Sequence, residues 1–145
     1  MDSLLNKAIK IAETYDVATE LNRAVVYSVS YMPTDENKKR ALDFIKVNPD
    51  AKMLDDTPCG KALIALGLDG KVNEVGEEIT KIWRIASERY IKEASGNMNA
   101  FVEDADERST FCTTELAEIM NNPHITHING QEKQMFLKEF KPKRY

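Results

Sequence analysis

Apolar residues near the N-terminus fall at helical spacing. Leu4, Leu5, Ala8, Ile9, Ile11, Ala12 and Tyr15 predict an amphipathic helix opened by Asp2-Ser3, which can cap. Leu21 to Tyr31 is apolar-rich and ambiguous, because Ala24-Val25-Val26-Tyr27-Ser28-Val29 suits either a helix end or a short strand. Pro33-Thr34-Asp35-Glu36 signals a helix start with Thr34 as cap, and the helix carrying Ala41, Leu42, Phe44 and Ile45 should stop before Pro49. Asp55-Asp56-Thr57-Pro58 is a second start signal: Thr57 caps, and Pro58 suits the first helical position, where no N–H is needed. That helix ends near Gly67 to Gly70.

The longest helix follows. Val75, Ile79, Ile82, Trp83, Ala86, Tyr90 and Ile91 form one stripe, closed by Gly96 as a left-handed cap. The pattern then changes. Met98–Val102 reads as a strand, Glu103 to Glu107 as an acidic loop, Leu116–Met120 as a short helix capped by Thr113 or Thr114, and His124–Ile128 as a second strand. The fold class is therefore α+β: a helical N-terminal lobe, about 1–96, packed on an α/β C-terminal part, about 97–145, whose small sheet is mainly parallel because a helix joins its strands. The whole is read as a single domain.

Composition narrows the classes. At 145 residues with 42% hydrophobic side chains the chain supports a real core. No run approaches the roughly 18 apolar residues of a membrane span, and Met1 to Lys7 lacks the apolar stretch of a secretory signal, so the expected site of action is cytoplasmic. The net charge of −4 disfavours generic nucleic-acid binding, which phosphate neutralisation drives. Lys138, Lys141, Lys143 and Arg144 make a basic end, read as a solvated tail. Cys59 and Cys112 are too few for a disulfide scaffold; two reduced thiols fit better than one bridge.

No phosphate loop, Walker motif or Gly-x-Ser-x-Gly elbow is present. His124 and His127 would point to opposite faces of a strand, so no metal site is expected. Three features stand out. Trp83 is the only tryptophan, a core residue or a binding wall. Glu115 sits among small hydroxyl residues at an expected helix start, and Asp55-Asp56 lie just outside another. Either is a capping carboxylate or a reactive one.

Taken in order, four segments resemble blocks of the ADP-ribosyl cyclase / NAD glycohydrolase family, and most of all the NAD-degrading C-terminal domains of bacterial polymorphic toxins of the contact-dependent inhibition type. Val26-Tyr27-Ser28 is similar to an aromatic-Ser block. Met53-Leu54-Asp55-Asp56-Thr57-Pro58-Cys59-Gly60 resembles a Thr-Leu-Glu-x-Thr block that runs on into Pro-Gly-Gly. Ile82 to Tyr90 resembles a Trp-x-x-x-Ser helix, and Ser109-Thr110-Phe111-Cys112-Thr113-Thr114-Glu115-Leu116 a Ser-Thr-Phe-Gly-x-x-Glu block. Asn122-Pro123-His124-Ile125 matches the strand entry of the toxin relatives. Departures are Tyr27 for tryptophan, Asp55 for glutamate, Val29 for an arginine near the pyrophosphate, and Cys112 for glycine.

The resemblance implies a cyclase-like fold and an NAD nucleosidase that releases nicotinamide and ADP-ribose, with some cyclic ADP-ribose. It implies catalytic roles for Glu115, Asp55 and Trp83. Glu115 would stay ionised beside the ribosyl cation, helped by a helix N-terminus; Asp55 would contact the nicotinamide amide; Trp83 would stack, with Tyr27 opposite. Ser28, Ser87, Thr110 and the backbone at Phe111 would hold the phosphates. NAD is substrate, no cofactor or metal is needed, and a cognate immunity protein is the expected partner. Two other classes fit the residues less well: a non-enzymatic helical interaction or immunity protein, and a small RNase toxin.

Overall fold

In the computed structural model, which describes residues 2–28, 36–68 and 76–144, the ambiguous run after Arg23 is a strand. β1 (Val25–Tyr27) consists of β-branched and aromatic residues, and its side chains alternate. Ala24 and Val26 enter the main core, while Val25 enters a smaller cluster with Ala41, Ala51 and Met53. β1 runs parallel to β2 (Gly96–Phe101), β2 parallel to β3 (Ile125–Ile128), and β3 antiparallel to β4 (Gln131–Glu132), in the order β1-β2-β3-β4. The architecture is α+β with a mainly parallel sheet, and its first strand comes from the helix-rich half of the chain. A register shift at Gly96/Asn97 lets Ile125 and Ile128, three apart, both be buried.

α1 (Asp2–Thr14) packs on α3 (Pro58–Ala65) and α4 (Gly76–Glu93). Only Ala8, Ile11 and Ala12 of its expected stripe are fully buried, and Ile9 and Tyr15 are exposed. Its last carbonyls are capped from α4: Arg89 donates to Ala12 O at 2.7 Å and Tyr15 O at 2.8 Å. α2 (Asn37–Val47) stops before Pro49, as expected, while the proposed Thr34 cap and Val29 lie outside the described residues. α3 starts as read, with Thr57 Oγ1 accepting from Gly60 N at 3.1 Å and Pro58 in the first turn. In α4, Ile79, Ile82, Ala86, Tyr90 and Ile91 are buried; Val75 lies outside the described residues. Gly96 has φ +76, the left-handed turn from helix into strand.

Three features of the second half differ from expectation. The helix carrying Glu115 begins at Thr110, not near Leu116, because Ser109 is its cap: Ser109 Oγ accepts from Cys112 N at 3.3 Å, and Ser109 O accepts from Thr113 N at 2.9 Å. Its first stretch, Phe111–Glu115, is a π turn, with Leu116 N donating to Phe111 O, and continues as α5 (Leu116–Asn121). Next, β3 and β4 form a hairpin through Asn129-Gly130, with φ 53 and 79, and lead into α6 (Lys133–Glu139). Finally, the basic end is not a free tail. Lys143 N donates to Ala105 O at 2.8 Å and Lys143 O accepts from Glu107 N at 2.9 Å, while Lys143 pairs with Asp104 and Arg144 with Glu107. The loop from Glu103 to Glu107 holds it through these backbone bonds, with the ion pairs alongside.

Side-chain amides and one amine close the helix ends. Asn122 Nδ2 donates to Ile91 O at 2.8 Å and Ala94 O at 3.0 Å, ending α4. Buried Lys133 donates to Ile119 O at 3.2 Å and Asn122 O at 2.7 Å, ending α5.

Candidate functional site

A cleft of about 470 Å³ opens where Ser28 leaves β1 and the helix at Thr110 begins. Carboxyl ends of parallel strands are the usual place for ligand crevices in such sheets. All eight residues singled out above line it: Asp55, Trp83 and Glu115, with Tyr27, Ser28, Ser87, Thr110 and Phe111. Lys38, Thr80 and Tyr90, which were not singled out, line it too, with Val25, Val26, Met53, Leu54, Ile64 and Ile79 supplying apolar wall.

Each wall is set by local chemistry. Ser28 is buried; its Oγ donates to Ser109 Oγ at 2.9 Å, and its carbonyl accepts from Asn37 Nδ2 at 3.0 Å. Asn37 also donates to Glu103 O at 2.8 Å, so the start of α2 is tied to the ends of both β1 and β2. That tie brings the next residue, Lys38, to the mouth. Asp55 sits in a 3₁₀ turn, Leu54–Asp56, held by Thr57 Oγ1 donating to Leu54 O at 2.7 Å and Met53 N donating to Asp56 Oδ2 at 3.3 Å. Gly60 lets α3 approach this turn, since a Cβ there would meet Leu54 O at 2.0 Å and Asp55 Cα at 2.8 Å. Trp83 lends its Nε1–H to Leu68 O, which fixes the indole and leaves its faces as the binding surface. The buried Tyr90 hydroxyl accepts from Val25 N at 2.8 Å and contacts Val25 O and Lys52 O at 2.9 and 2.6 Å. It secures the cleft's floor to β1.

The electrostatics are dominated by burial. Glu115 is 8% exposed, and burial pushes its carboxyl up to about 7, opposed by a hydrogen bond from Ser87 and reinforced by the negative charge of Asp55. Glu115 lies a turn inside its helix rather than at the N-terminus, so burial rather than the helix end dominates its titration, and Ser87 is its hydrogen-bond partner. Asp55 is raised by burial, with Lys38 pulling it down and Asp56 pushing it up. Tyr90 is raised by burial, so its hydroxyl stays protonated.

Two carboxyls raised by burial, a flat aromatic wall and hydroxyl side chains share this one cleft, which makes it the candidate binding site. Among the described residues no group of His, Cys, Asp and Glu could hold a metal ion, and no helix is long and apolar enough to cross a membrane. His124 and His127 are both exposed. Cys59 and Cys112 are free thiols, each raised by burial. No protein-family model matches the chain, and no curated protein matches it.

Proposed function

We propose that this protein is an NAD glycohydrolase of the ADP-ribosyl cyclase type. It cleaves the nicotinamide–ribose bond of NAD to nicotinamide and ADP-ribose, with some cyclic ADP-ribose. It acts as a toxin in the cytoplasm of a target cell, and a cognate immunity protein restrains it in the producer. One observation carries the reading. The four segments that carry the family resemblance, spread from Tyr27 to Glu115, line one cleft, with Asp55, Trp83 and Glu115 among the lining residues.

The chemistry follows from that grouping. As the C1′–N1 bond breaks, nicotinamide leaves with both bonding electrons and the positive charge passes to the ribosyl ring. An ionised Glu115 in a water-poor cleft stabilises that charge more than water does. The pyridinium cation of arriving NAD draws Glu115 toward its ionised form, so the substrate itself prepares the site. Ser87 orients the carboxylate, while Trp83 and Tyr27 sandwich the planar ring. Asp55 meets the nicotinamide amide. Water then adds to C1′, and its proton passes through a carboxylate to solvent. Thr110, Ser28 and the N–H groups opening the Phe111 turn face the phosphates, and Lys38 supplies the positive charge there that Val29 lacks.

The test is direct: purified protein is incubated with NAD and nicotinamide release is measured. Glu115→Gln should cut turnover by about 100-fold or more. Absence of release by the wild type refutes the activity. Normal NAD consumption by Glu115→Gln refutes the assignment of Glu115.

A further inference from the structure

We propose that segment 140–144 is a strap that holds the cleft-lining turn Phe111–Glu115 in place, with Phe140 and Lys143 as positioning residues. The part of this claim that concerns turnover rests on the NAD-cleaving reading above.

Two routes lead from the segment to the cleft. Along the first, the Phe140 ring meets Phe111 edge-on, with centroids 5.5 Å apart at 78°, and stacks on Phe136 at 5.8 Å and 14°. Phe111 is 1% exposed and lines the cleft, so Phe140 braces the back of a wall residue. Along the second, the backbone of Lys143 is zipped to the loop after β2 by bonds to Ala105 and Glu107 of 2.8 and 2.9 Å. That loop is stiff: the fully buried Asp106 carboxylate accepts from Arg108 N at 2.7 Å and from its guanidinium at 2.9 and 3.0 Å, and Asp106 O accepts from Ser109 N at 3.0 Å. Ser109 then caps the helix of Glu115 and receives the hydroxyl of Ser28. The ion pairs of Lys143 and Arg144 are largely exposed and contribute little; the backbone zipper and the Phe140 ring carry the strap.

Lys143→Pro in the full chain removes one zipper N–H at an exposed site, and Phe140→Ala removes the brace. Each is compared with the wild type for kcat and KM with NAD, for the pH profile, and for amide exchange. The titratable groups around Glu115 are Asp55 in the 3₁₀ turn and Tyr90 on α4, with Asp56 and Lys38 acting through Asp55; neither variant touches them. The expected result is a kcat lowered roughly tenfold with a smaller change in KM. The acid limb of the profile moves below 7 as water reaches Glu115, and exchange speeds up at Ser109 to Glu115 but not in α1 or α3. Lys143→Ala, which keeps both backbone bonds, behaves like the wild type; a loss equal to that of Lys143→Pro overturns the zipper.

Unchanged exchange at Ser109 to Glu115, or faster exchange everywhere, overturns the strap. Faster local exchange with unchanged kcat and pH profile overturns the positioning role. If the wild type does not cleave NAD, the functional reading fails and exchange alone decides the strap.

Discussion

Burial is the largest influence on the Glu115 carboxyl, and its behaviour follows. Its ionised form is the one that stabilises a ribosyl cation, so kcat/KM for NAD should rise as pH increases through about 7 and level off above it. A profile between pH 5.5 and 8.5 checks this; a rate that falls over the same interval contradicts it. Lys38 gives a second residue-scale test. It is the basic side chain among the described lining residues, and a charge-assisted phosphate contact is worth roughly a tenfold change in KM. Lys38→Ala should raise KM for NAD by about that much and leave nicotinamide riboside, which has no phosphate, unaffected. An equal change for both substrates would assign Lys38 to Asp55 instead. That Glu115, Trp83 and Asp55 share one cleft could be anticipated only from the ordered blocks of the resemblance, since each residue alone also reads as a cap or a core side chain. Lys38 could not be anticipated, since it reaches the cleft only through the buried Asn37 bonds to Ser28 and Glu103, a tertiary event with no local pattern.

At the level of elements, local chemistry was readable where it acts locally. Thr57-Pro58 starts α3, and Gly96 turns α4 into β2, as spacing suggests. The Glu115 helix starts earlier than its pattern suggests because four hydroxyl residues compete as caps in Ser109 to Thr114, and the bond from Ser28 together with the Asp106 loop selects Ser109. Asn129-Gly130 is a strong hairpin signal hidden by the brevity of β4. The junction of the 3₁₀ turn with α3 offers a test at this scale. Gly60→Ala would force a Cβ against Leu54 O and should lower stability by about 1–3 kcal/mol while displacing Asp55. Thermal melts and NAD turnover measured together check it, and a variant that melts and turns over like the wild type would contradict the tight approach.

Across the whole molecule, the α+β class and the parallel β2–β3 pair followed from the change of pattern after Gly96. The docking of the chain end onto the Glu103 to Glu107 loop did not, because contacts between residues 37 positions apart leave no periodic trace. The cleft also has a global consequence for stability. Below pH 4.5 Glu115 is protonated folded and unfolded; between 4.5 and about 7 only the unfolded chain releases the proton, so stability falls. Above 7 the penalty is constant, about 3 kcal/mol at about 1.4 kcal/mol per pH unit. Glu115→Gln should therefore be more stable than the wild type at pH 8 by up to that amount, with the gap closing near pH 4; urea unfolding at both pH values checks it. The deciding measurement is nicotinamide release from NAD at pH 8 by wild type and Glu115→Gln side by side. Release by the wild type, slowed about 100-fold or more in a variant that melts no lower, is the expected result. A wild type that leaves NAD intact, or a variant that consumes it at the same rate, contradicts the account.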